Sequence, residues 1–172
     1  MQIIKYIMLI LIFLTSSIIG KLLAQKYKKR LEELEELKNT FNMIKAKIRF
    51  SYEPIPEIFE DISKNTQNTQ YTVSQFFRTA KEKMKDQNAG TAWEDAVEET
   101  QSNLKEEDKQ VLKTFSKLLG ATDTEGQISQ IEITENFLEK QIKEAEDEKR
   151  KNEKLYKKLG TTIGLVIVII LI

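Results

Sequence analysis

The chain has 172 residues, 27 of them basic and 27 acidic, with neither His nor Cys. That composition excludes a disulfide framework, a thiolate nucleophile, a His general base and the commonest zinc ligand. Two Pro and six Gly among abundant Lys, Glu, Leu and Ile point to an all-α protein.

From the N-terminus, Ile3 to Ile19 is apolar apart from Lys5, Thr15, Ser16 and Ser17. At 1.5 Å per residue, about 17 residues span roughly 25 Å, the short end of what crosses a bilayer. A cleaved signal peptide is the competing reading. Its small-residue site would end at Ala24 with Leu22 at the −3 position, and the positive n-region is thin, so a retained anchor over residues 1–21 is expected. Lys21, Lys26, Lys28, Lys29 and Arg30 follow at once. A basic run directly after an apolar segment marks the cytoplasmic side. Because four glutamates come next, at Glu32, Glu33, Glu35 and Glu36, nucleic acid is not the expected partner of this cluster.

Between Lys26 and Phe50 the residues Leu31, Leu34, Leu37, Phe41, Ile44 and Ile48 recur at three- and four-residue steps, a helical seam. Two uses of that seam stay open: packing on the chain's own domain, or pairing with a partner helix. Pro54 and Pro56 open a second helix, with Ile55, Ile58, Phe59 and Ile62 on one face. Asn65–Thr69 reads as a polar loop. A third helix carries Val73, Phe76, Phe77, Ala80 and Met84, and Gly90 suits a left-handed cap at its end. Thr91-Ala92-Trp93-Glu94 fits a capping box, Thr91 to Glu94, opening a fourth helix that buries Trp93, Ala96 and Val97. Asn103 with Glu106 caps a fifth helix, whose face is Leu104, Val111, Leu112, Phe115, Leu118 and Leu119 and whose stop is Gly120. Thr124 with Gln127 opens the last helix.

This last helix passes through three environments. Ile128, Ile131, Leu138, Ile142 and Ala145 form an apolar stripe. Then come Lys149, Arg150, Lys151, Lys154, Lys157 and Lys158, and from Leu159 to Ile172 the chain is apolar. Glu146–Arg150, Asp147–Lys151 and Glu153–Lys157 are acid-first i,i+4 pairs that support an unbroken helix through the charged stretch. The final run of about 14 residues, roughly 21 Å, makes a short second membrane segment, with Tyr156 and its lysines at headgroup level.

The expected architecture is therefore an all-α, six-helix cytoplasmic bundle over residues 25–158. It is flanked by transmembrane helices at 1–21 and 159–172, with the last helix continuous into the membrane. Both flanks of the bundle are basic, which places it in the cytoplasm and both termini across the membrane. No phosphate-binding glycine loop is present. The acidic clusters at Glu32–Glu36, Glu94–Glu99 and Glu106–Asp108 are each local to one helix and lie beside Lys residues or at a helix start, where carboxylates complement the dipole. Neither an enzyme nor a cofactor is expected, and a protein-binding membrane module is.

The residues also resemble a known family. Thr91-Ala92-Trp93-Glu94, Leu112-Lys113-Thr114-Phe115, Leu119-Gly120-x-x-Asp123-x-x-x-Gln127 and Lys151-Asn152-Glu153-Lys154 before Leu159-Gly160 are similar, in order and spacing, to the stage III sporulation protein AB family. Pro54-Ile55-Pro56 sits where that family starts its second helix. Thr91, Trp93, Glu94, Gly120, Asp123 and Gln127 are the motif and core positions. More distantly the family resembles one repeat of the type II secretion inner-membrane platform protein. The resemblance implies a protein of the mother-cell membrane around the forespore of an endospore-forming Firmicute. It would be one of eight stage III A proteins that form a secretion-like channel complex between the two cells, and a non-catalytic platform beside an AA-type ATPase. Secretion platforms hold two such bundles in one chain and this chain holds one, so self-association is an open alternative. A second reading is a membrane-anchored coiled-coil scaffold that uses the Leu31–Ile48 seam on unrelated partners.

Overall fold

The computed structural model describes residues 2–51, 53–65 and 71–171. Within them the protein is all-α. The helices are α1 (Gln2–Phe50), α2 (Ile55–Asn65), α3 (Tyr71–Lys83), α4 (Ala89–Glu99), α5 (Glu106–Thr114) and α6 (Thr124–Leu171), with a 3-10 turn at Phe115–Leu118 after α5. The expected first anchor and the seam helix are one element, α1, because no Pro or Gly pair interrupts the stretch between them. The last helix is likewise unbroken from Thr124 to Leu171. Of the pairs expected along it, Glu153–Lys157 forms at 2.6 Å, whereas Arg150 meets Asp147 at 2.8 Å. The polar loop read at Asn65–Thr69 lies, beyond Asn65, outside the described residues.

The chain divides into two compact units. One holds Met1–Leu31 and Glu144–Ile172, and the other holds Glu32–Lys143. This division falls further from the termini than the ends of the apolar runs, so Gln25–Leu31 and Glu144–Lys158 group with the apolar segments.

The core of Glu32–Lys143 is aromatic. Trp93 is fully buried, with the rings of Phe41, Phe59, Phe77 and Phe115 at 5.0–6.1 Å. Most of these contacts are edge-to-face, the arrangement ring quadrupoles favour. The indole Nε1 donates to Leu112 O at 2.8 Å, so the buried N–H is not left unpaired.

Helix starts in this unit differ from the expected boxes. Asn88, not Thr91, caps α4: its side chain accepts from Thr91 N at 2.9 Å, which places Thr91 inside the first turn. The Glu94 carboxylate is thereby free of the box and accepts from Ser116 Oγ instead. Gly90 belongs to α4 rather than to a cap of α3. A Cβ there would stand 2.7 Å from Ser116 O, so a close approach to the 3-10 turn explains it. Lys105 N donates to Asp108 at 2.8 Å at the start of α5, while Asn103 donates from its backbone and its side chain to Glu33. At α6 the cap is Asp123, whose side chain accepts from Gly126 N at 2.9 Å, and Gln127 reaches back to Thr122 O at 3.1 Å. Gly120, at φ 71, stops the 3-10 turn that replaces the last turn of the expected fifth helix. The side chain of Leu118 lies outside the described set.

Candidate membrane and interaction surfaces

In the unit of Met1–Leu31 and Glu144–Ile172, α1 and α6 run antiparallel. Ser16 Oγ donates to Gly160 O at 2.7 Å. A Cβ on Gly20 would stand 2.7 Å from Gly160 Cα, and one on Gly160 would stand 2.7 Å from Gly20 Cα. The backbones touch only because neither residue has a side chain, the close approach seen between helices in lipid. Further along, Tyr27 and Tyr156 stack at 5.7 Å, and Arg30, only 3% exposed, donates to Glu148 at 2.7 Å and lies 3.7 Å from Glu144. The contacts run from Ser16 to Arg30 on one helix and from Gly160 down to Glu148 on the other.

Outside that seam the pair exposes aliphatic side chains. Ile3, Ile7, Ile10, Leu14 and Ile18 on α1 and Ile163, Val166, Ile169 and Ile170 on α6 all face outward, Ile3 at 76% and Ile170 at 75% exposure. Such continuous apolar surface is unusual for water-facing protein. Among the described residues one helix, α1, is long and apolar enough to cross a membrane, with a mean hydropathy of 2.3 over its most apolar stretch. The apolar end of α6 falls short of that measure.

The seam residues Leu31, Leu34, Leu37, Phe41, Ile44 and Ile48 are all buried within the chain, and Phe41 sits in the ring cluster with Phe77, Trp93 and Phe115. Of the motif residues, Trp93, Glu94, Thr91 and Gly120 belong to α4 and the turn it packs on, and Asp123 and Gln127 to the start of α6. All are accounted for as core, cap and turn.

Charge on the Glu32–Lys143 unit is largely paired. Lys47 meets Glu53 and Asp61, each at 2.8 Å, and its hydrogen bonds to Asp61 and then Glu53 hold its ammonium above the usual lysine range. Lys45 meets Glu135, Lys83 meets Glu99 and Lys113 meets Glu98. Sequence reasoning passed over two glutamates on α1. Glu33 is buried and accepts both Asn103 donors, at 2.9 and 2.6 Å. Glu36 has a buried Oε2 without a hydrogen-bond partner, and burial pushes its carboxyl up to about 7. In the sequence both belong to one acidic run local to a helix, and only the fold separates them from it, Glu33 through Asn103 and Glu36 through its buried oxygen. No group of three or more acidic side chains among the described residues could hold a metal ion.

The chain matches the stage III sporulation protein AB family over residues 5–172. It is 28% identical over 151 residues to stage III sporulation protein AB of Bacillus subtilis (strain 168), covering 87% of this chain and 88% of that one. A solved structure of stage III sporulation protein AB superposes with a TM-score of 0.61 at 25% identity, over 70% of this chain and 96% of that chain. With the Trp93 core, the α1–α6 apolar pair and a match over nearly the whole length, the chain belongs to the stage III sporulation protein AB family.

Proposed function

We propose that this protein is a non-catalytic membrane platform subunit of a secretion-like complex between mother cell and forespore. In this reading the Glu32–Lys143 bundle lies in the mother-cell cytoplasm and contacts a secretion-type ATPase, and the apolar ends of both α1 and α6 lie in the membrane. The observation that carries the reading is the contrast within the chain. One unit exposes aliphatic side chains along two helices packed through glycines, and the other has an aromatic core and a charge-paired surface. The first is chemistry for lipid and the second for water and protein. Family membership supplies the sporulation role. A scaffold working through the Leu31–Ile48 seam has less support, since those side chains are buried in the chain's own fold.

The test is co-purification of the full chain, extracted from sporulating cells in mild detergent, with the AA-type ATPase. It is combined with topology reporters inserted within 66–70 and fused after Ile172. ATPase recovery, a cytoplasmic 66–70 reporter and an external terminal reporter are expected. An external 66–70 reporter would remove the bundle from the ATPase's compartment and end the platform reading. A truncation ending at Lys158 is expected to keep the bundle folded and to abolish sporulation.

A further inference from the structure

The antiparallel contacts of α1 and α6 have a consequence for charge. Between the Gly20–Gly160 crossing and the Arg30–Glu148 pair, each helix carries one of the chain's two basic clusters. Clusters more than a hundred positions apart in sequence therefore face the same stretch of the helix pair, about 15 Å long at 1.5 Å per residue. Lys21, Lys26 and Lys29 come from α1, and Lys151, Lys154 and Lys158 from α6, all exposed.

The carboxylates of this stretch are already taken. Arg30 holds Glu148 and lies near Glu144, Arg150 holds Asp147, and Lys157 holds Glu153, whose carboxyl sits below its usual range because of that hydrogen bond. The six lysines named make no ion pair among the described residues. This is the reverse of the Glu32–Lys143 unit, where Lys45, Lys47, Lys83 and Lys113 each meet a carboxylate. An unpaired cationic collar directly beside exposed aliphatic helix surface matches one partner in both chemistry and position: the phosphodiester headgroups of the lipid that would surround that surface. The stacked Tyr27 and Tyr156 rings lie within the same stretch, at the level where aromatic side chains favour the membrane–water boundary.

We propose that this two-helix collar binds anionic phospholipid headgroups, so that the protein retains and prefers a negatively charged lipid shell. The inference rests on the membrane reading above, and the experiment separates the two. The full chain is extracted from membranes in mild detergent, and its retained phospholipid is measured by mass spectrometry. Its melting is followed in mixed micelles containing phosphatidylglycerol or phosphatidylcholine. The comparison protein carries Lys→Gln at the six positions, a second carries Lys→Arg, and carbonate extraction scores membrane insertion for each.

Wild type is expected to be carbonate-resistant, to be enriched in anionic lipid and to melt higher with phosphatidylglycerol. In the Gln protein the anionic preference should fall at least about tenfold, while insertion and the folded Trp93 fluorescence persist. The Arg protein should retain the preference. Millimolar inorganic phosphate should not reproduce the stabilisation, since one dianion cannot span lysines spread over both helices. Resistant insertion with equal retention of neutral and anionic lipid would overturn the collar while leaving the membrane reading in place. Loss of wild-type protein to the carbonate wash would overturn both. Stabilisation by free phosphate, or by an oligonucleotide in place of lipid, would overturn the assignment to headgroups.

Discussion

The two units pack by opposite means. In Glu32–Lys143 the helices meet through large, fully buried side chains, four phenylalanine rings around Trp93. In the other unit they meet where side chains are missing, at Gly20 and Gly160. Water explains the first, because burying each ring removes a large apolar area from it. For helices proposed to sit in lipid, that drive is absent, and close backbone approach with van der Waals contact replaces it. Polar bonding is shared by both: Trp93 Nε1 donates to the Leu112 carbonyl and Ser16 Oγ to the Gly160 carbonyl, each from one helix to the backbone of another. A chain assembled from both solutions should respond to large-to-small and small-to-large changes in opposite places.

The largest effect that sharpens this contrast is expected at Trp93. Trp93→Ala should cost about 3–5 kcal/mol, through lost ring contacts, a cavity and the lost indole bond to the Leu112 carbonyl. Denaturant titration of the full chain in mild detergent, read by helical circular dichroism, measures it. A neutral result would mean the aromatic cluster does not hold the bundle.

The inverse change belongs to the other unit. Gly160→Leu should force α1 and α6 apart at a cost of about 1–3 kcal/mol and leave Trp93 fluorescence unaltered. The chain has no native cysteine, so Tyr27→Cys with Tyr156→Cys supplies the only thiols for a short cross-linker. Linking should be efficient in the parent and drop with Gly160→Leu. Equal linking in both would show that the glycine crossing does not set the pairing.

Glu36 separates the units by pH. Its carboxyl titrates near 7 in the folded protein against an ordinary value of 4.5, because burial disfavours its charged form. The native state therefore holds more protons between these values, and this group makes stability fall as pH rises from about 4.5 to about 7. Glu36→Gln should remove that slope and be more stable than the parent near pH 8, by about 1–2 kcal/mol once partial solvation is allowed for. Parallel stability–pH curves for parent and variant would show that Glu36 is solvated. The helix pair, judged by cross-linking, should not respond.

The smallest effect concerns caps. Asn88→Ala should cost about 1 kcal/mol, whereas Thr91→Ala should stay within about 0.5 kcal/mol, because Asn88 carries the cap and Thr91 only donates its backbone N–H to it. Reversal of that order in thermal melts would restore the box starting at Thr91.

Much was legible in the sequence because it is local. Helical spacing of Leu34, Leu37, Phe41, Ile44 and Ile48 marks a buried face in whatever fold follows. The absence of proline after Thr124 predicts a single long helix, and the apolar runs with basic flanks mark the two ends. What local pattern could not settle was which of several equivalent donors and acceptors are used. Asn88, Thr91 and Asn103 are all good caps by type. The choice went to Asn88 because Gly90 must approach Ser116 O and Glu94 is drawn to Ser116 Oγ, while Asn103 is taken by Glu33. Glu33 and Glu36 look like one local acidic run until the fold buries the first and one carboxylate oxygen of the second. Composition and periodicity by themselves determined the all-α class, the apolar ends and most of the core. Only the tertiary structure decided that Gly20 meets Gly160 and that the two basic clusters share one stretch. Those depend on the antiparallel register of segments at opposite ends of the chain, and register is a property of packing, which no local spacing encodes.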